Sequence, residues 1–105
     1  SGDNLQKLLL SQFPDLRGEY AGQLAGLFQD IRKKCDSSEI STKALDLRGL
    51  LAAINLVKNG LPLGQALELG IVNKSFDAFE RQLVLDLIAA RIRGDLTADE
   101  LLEAK

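Results

Sequence analysis

Apolar residues recur along this chain at steps of three and four, and alternating runs rich in β-branched residues are lacking. That period belongs to helices with one buried face, because 3.6 residues complete a turn. Leu and Ala supply most of the apolar positions while Val and Thr are sparse, so intrinsic propensity agrees with the period. An all-α fold follows.

Four to six helices can be placed. The first, about Asp3 to Gln12, puts Leu5, Leu8 and Leu9 on one face and ends before Pro14. A second, roughly Leu16 to Lys34, carries Leu16, Tyr20, Leu24, Leu27, Phe28 and Ile31. Its last turn holds Arg32, Lys33 and Lys34, where cations oppose the helix dipole favourably. Ser41 or Thr42 can cap a third helix, about 42–59, whose apolar residues occupy most of its surface. Such a helix is expected at the centre, with Gly60 ending it in a left-handed conformation. Pro62 opens a short fourth helix that stops at Gly70. Ser75 can cap a fifth, with Phe76, Phe79, Leu83, Leu87 and Ala90 on one face and an end near Arg93-Gly94. Thr97 and Glu100 have the spacing of a capping box for a terminal helix, Ala98 to about Ala104. The expected architecture is a compact bundle of four to six helices around a buried central helix, in a single domain spanning 1–105.

Composition removes whole classes of chemistry. With 105 residues the chain has room for one domain, and no repeat suggests a solenoid. There is no His, which excludes His-based acid–base catalysis, His-containing triads and His zinc ligation within this chain. The single cysteine, Cys35, cannot form an internal disulfide and has no His to activate it, so no catalytic role is expected. A net charge of -2 offers no general attraction to nucleic acid or anionic membranes, and neither is expected as a partner. No apolar run approaches the ~20 residues that cross a bilayer, so a cytoplasmic location is expected. The chain lacks Met and opens Ser1-Gly2-Asp3, which reads as an excised segment with Ser1 and Gly2 left at the cut.

Candidate chemistry is sparse. Gly18, Gly22 and Gly26 form a flat stripe that suits either another helix of this chain or an external domain. Acidic neighbours such as Asp99 and Glu100 lack the cleft that acid–base work needs. No Gly-Lys pair exists, so a phosphate loop of the GxxxxGK[ST] type is ruled out, and nucleotide hydrolysis by this chain alone is not expected. Charge is unevenly spread: residues 41–74 hold 4 basic and 2 acidic side chains, while both flanking stretches are net acidic. That basic stretch begins Ser41-Thr42-Lys43, with a Lys in the first turn of the expected helix. The dipole disfavours it there unless an anion such as a phosphate is bound.

Ile40-Ser41-Thr42-Lys43-Ala44-Leu45, then Leu50-Leu51-Ala52-Ala53, then Lys58-Asn59-Gly60-Leu61-Pro62, resembles the C-terminal helical lid of AAA+ ATPases. The branch it is most similar to is the MoxR type that contains the CbbQ, NorQ and GvpN proteins. Leu63 to Leu67 matches the short helix that follows there, and Phe76 to Ile92 the closing helix, so the resemblance spans 39–92. It implies that Lys43 is sensor 2, with Ser41 and Thr42 at a helix start near the nucleotide phosphates. The family's usual residue at that position is Arg, and Lys supplies a charge without the bidentate fork. The resemblance further implies ATP and Mg²⁺ bound in the parent protein, and an N-terminal AAA+ core domain in the same chain. It also implies neighbouring subunits in a ring, and a client protein remodelled by lid motion. No catalytic residue or metal ligand is expected within the lid, so this segment alone is not expected to be an enzyme. The competing reading is a non-enzymatic helical interaction module that uses the glycine stripe or an apolar groove. A helical regulatory domain of a transcription factor ranks below both, because it lacks a basic recognition helix.

Overall fold

The chain's helix stops are built from backbone geometry that a few residues make possible. In the computed structural model, which describes residues 2–75 and 77–103, six α-helices follow one another. They are α1 (Gly2–Gln12), α2 (Gly18–Asp36), α3 (Leu47–Lys58), α4 (Leu63–Gly70), α5 (Ala78–Arg91) and α6 (Ala98–Leu101). Two 3-10 turns, Thr42–Ala44 and Val72–Lys74, precede α3 and follow α4. Among the described residues the only β pairing is an isolated antiparallel bridge between Leu16 and Leu102. The fold is an all-α bundle, as the periodicity predicts.

Both α2 and α3 end in a Schellman motif. At the end of α3, Gly60 N–H donates to Val57 O at 3.0 Å and Leu61 N–H to Leu56 O at 3.1 Å. The turn requires the positive φ of Gly60, 112°. At the end of α2 the same pattern runs through Ser38 and Glu39, whose N–H groups donate to Cys35 O and Lys34 O. Here a serine takes the left-handed position with φ 62°, and the apolar contact that usually seals the motif is replaced by a Lys34–Glu39 ion pair at 3.5 Å.

Helices pack in pairs: α1 on α2, α2 on α5, and α3 on α4. Leu9, Leu24, Leu27, Ile31, Leu50, Ile54, Leu63 and Leu67 are fully buried in one continuous core. Each such side chain contributes about 1.5–3 kcal/mol of burial. The Cα radius of gyration of 12.8 Å is that of a packed single domain, for which about 13 Å is expected at this length. Helices α3 and α4 meet backbone to backbone. A Cβ built on Gly49 runs into the carbonyl oxygen of Gly70, and one built on Gly70 into that of Gly49. The other end of α4 is held from the C-terminal side. Leu63 N–H donates to Leu96 O and Gly64 N–H to Gly94 O, both at 2.8 Å, so first-turn amides of α4 have backbone partners. The chain then closes on α2's entry, with Arg17 N–H bonded to Leu101 O and Glu103 N–H to Asp15 O.

Several boundaries differ from the periodic reading. The third α-helix begins at Leu47, not Thr42, and buries one face (Gly49, Leu50, Ala53, Ile54, Val57) while Leu47, Ala52 and Asn55 are exposed. It is one wall of the core, not a fully enclosed centre. Gly70 lies within α4 and serves the contact with Gly49, so the helix does not stop there through glycine's left-handed freedom. The helix α5 is capped by Asp77, whose Oδ1 accepts from Glu80 N–H at 2.8 Å, and not by Ser75. Its buried face is Glu80, Val84 and Ile88, whereas Phe79 and Ala90 are exposed. Two apolar stripes overlap in α5, and the acidic Glu80 disguises the one that faces inward. Thr97 precedes α6 without a side-chain cap bond, and the Glu100 carboxylate that would form the return arm of the box is engaged by Arg93 Nη2 at 3.2 Å. Phe76 and Ala104, assigned to helices on the sequence, lie outside the described residues.

Two substitutions test the helix ends. Ser38→Gly is expected to raise stability by about 0.5–1 kcal/mol. It removes a left-handed penalty of about 1–2 kcal/mol, less the entropy cost of a glycine. Gly60→Ala is expected to lower stability by about 1 kcal/mol. Urea midpoints at unchanged m-value report both.

The α3–α4 contact is tested by Gly49→Ala and Gly70→Ala, made singly. Each places a methyl against backbone, which cannot rotate away, and is expected to cost about 3 kcal/mol. A loss below about 0.5 kcal/mol in thermal or denaturant unfolding contradicts the contact.

Candidate functional site

The Ser41-Thr42-Lys43 triplet folds into a short exposed turn between two buried anchors. Ile40 is 3% and Ala44 0% exposed, so the backbone on both sides is pinned to the core while Thr42 and Lys43 reach the surface. Ser41 caps this turn: its Oγ accepts from Lys43 N–H at 3.1 Å, and its carbonyl from Ala44 N–H at 3.3 Å. Leu45 N–H donates to Thr42 O at 3.0 Å and closes it. The cap expected of Ser41 is thus present, on a three-residue 3-10 turn. So short a turn sums few peptide dipoles, and the proposed conflict between Lys43 and a helix dipole does not arise.

The N-terminus of α3 is already supplied with negative charge. Asp46 stands at its N-cap position without a geometric cap bond, and its carboxylate pairs with the Lys74 ammonium from the second 3-10 turn. Lys74 first, and then the Gly49 amide, hold the Asp46 carboxyl below its usual range, with a smaller pull from the Arg48 amide. The ion pair spans 28 residues of sequence and ties the start of α3 to the end of α4, next to the Gly49–Gly70 contact. Arg48 is exposed in the first turn of α3, so the cation nearest that helix start in sequence is Arg48, ahead of Lys43. Asp46, Leu47, Arg48, Leu51 and Lys74 line an open groove of about 680 Å³. Asp46 is hard to single out in the sequence because Ser41 and Thr42 also suit an N-cap and Leu45 extends the apolar pattern. An acidic residue immediately before Leu47 was the available signal.

Cys35 lies half-buried in the last turn of α2 and its Sγ–H donates to Ser41 O at 3.5 Å. Burial foremost, then the Asp36 and Glu80 carboxylates, push its thiol up, only partly opposed by Arg32, so the reactive thiolate is disfavoured. Glu80 is 7% exposed and its Oε1 has no hydrogen-bond partner; its place in the first turn of α5, beside the positive dipole end, lessens that cost. In the glycine stripe, a Cβ on Gly22 meets the Gln6 side chain at 3.6 Å, and one on Gly26 meets the Arg91 guanidinium at 2.9 Å. Arg91 is fixed there by a two-pronged bond to Asp30, both arms at 3.1 Å, across the α2–α5 contact. Gly22 and Gly26 therefore face α1 and α5 of this chain, while nothing lies within 4 Å of a Cβ on Gly18. Asp99 and Glu100 are exposed on α6, and the Glu100 carboxylate is paired with Arg93.

No group of three or more metal-ligating side chains occurs among the described residues, and none of their helices is long and apolar enough to cross a membrane. The class these features define is an all-α helical bundle with an anchored surface turn. Compared with protein-family models, curated proteins and solved structures, the chain matches none of them.

The Asp46–Lys74 pair gives a pH dependence of known sign. The Asp46 carboxyl is held below its ordinary range in the fold, so its contribution is complete above the unfolded value, about 3.9. It is lost as pH falls through the lower folded value. Asp46→Asn should lower stability at pH 7 and reduce the loss between pH 5 and pH 2. The effect is modest because Lys74 is 45% exposed. Parallel urea titrations of both proteins across that range measure it. An unchanged acid slope contradicts the assignment.

Proposed function

We propose that this chain is the helical lid of a MoxR-type AAA+ ATPase, and that Lys43 is its nucleotide-sensing residue. The observation that carries the reading is the triplet turn. The residues that resemble the family's sensor 2 motif are exposed at Thr42 and Lys43 and anchored through buried Ile40 and Ala44. Such anchoring favours phosphate recognition, since a charge presented from a pre-set backbone needs little ordering on binding. The all-α bundle supports the reading as well, and so does the order of elements after the triplet: α3, the Gly60 stop, Pro62, and the short α4.

The chemistry assigned to this chain is narrow. The Lys43 ammonium contacts a β- or γ-phosphate oxygen of ATP, and the groups that hold Mg²⁺ and activate water belong to the parent's core domain. Backbone amides at α3's start contribute little, because the Asp46 carboxylate lies close to them. Movement of the bundle as one unit then couples the nucleotide state to a client protein within a ring of subunits. A phosphate contact through Lys is a point-charge contact, weaker in geometric selectivity than the arginine fork.

A second reading, a non-enzymatic interaction module, draws on exposed apolar side chains. Phe79 is 70% and Leu69 54% exposed, and either could meet a partner protein. The glycine stripe does not favour it, since Gly22 and Gly26 meet side chains of this chain.

The parent protein discriminates the two. Lys43→Ala is expected to reduce ATP turnover or nucleotide-driven closure at least tenfold, because a phosphate charge loses its partner. The same change should shift the bundle's own stability by no more than about 0.5 kcal/mol, as for an exposed position. Lys43→Arg should retain or raise turnover, and Arg48→Ala should have a much smaller effect than Lys43→Ala. Wild-type turnover and nucleotide affinity in Lys43→Ala would refute the sensor assignment. Absence of a phosphate-binding loop from the parent would refute the ATPase reading altogether.

A further inference from the structure

We draw no further inference here: the strongest candidate, the open groove along the first turns of α3 lined by Leu47, Leu51, Arg48 and the Asp46–Lys74 pair, carries nothing because nothing in the structure shows what covers it.

Discussion

The position of α4 against α3 depends on two glycines meeting backbone to backbone. Gly49 and Gly70 each leave a space that the other's carbonyl oxygen fills, so the helices approach more closely than any pair of side chains permits. Close approach brings Leu50, Ala53 and Val57 of α3 and Ala66 and Leu67 of α4 into the fully buried core. It also determines where the Val72–Lys74 turn emerges, and from there Lys74 reaches Asp46 at the start of α3. One steric condition thus sets the helix pair, the ion pair at its end, and the wall of the neighbouring groove.

The rest of the bundle meets that pair through the shared hydrophobic core and through backbone bonds. Loop 92–96 offers the Gly94 and Leu96 carbonyls to the first turn of α4, and the last described residues bond along 15–17. These bonds occupy groups that a helix end or an isolated extended segment leaves open. On the opposite side the Arg91–Asp30 fork covers Gly26 and joins α5 to α2. A Cβ at 26 meets this guanidinium, the movable end of a long side chain, and not the backbone of another helix.

The candidate site occupies the segment between these two parts. Its turn owes nothing to the dipole of α3; its shape comes from Ser41's short-range cap and from the burial of Ile40 and Ala44. The electrostatics nearby are balanced within the chain, with Asp46 answered by Lys74 and the thiol of Cys35 kept protonated by burial and by acidic neighbours. The proposed sensor role asks this segment for one charge, that of Lys43.

Helical period, propensity and the stop at Gly60 were legible in the sequence because each depends on residues close together along the chain. The all-α class, the inward stripe of α2 and the Schellman end of α3 are of that kind. Where two local solutions compete, sequence alone cannot rank them. Ser41, Thr42 and Asp46 all suit an N-cap, and the start of α3 passes to Asp46 where Lys74 meets it across 28 residues. In α5, Leu83 and Leu87 announce one face, yet the inward side is Glu80, Val84 and Ile88, because the neighbouring helices determine its rotation. The roles of Gly49 and Gly70 are invisible in the sequence for the same reason: a missing Cβ acquires meaning only when another backbone fills its place. Local conformational preference was determined by the sequence itself. Which of those preferences prevailed, and which charges met, was decided by the tertiary structure, because packing energies between distant segments exceed the few tenths of a kcal/mol that separate local alternatives.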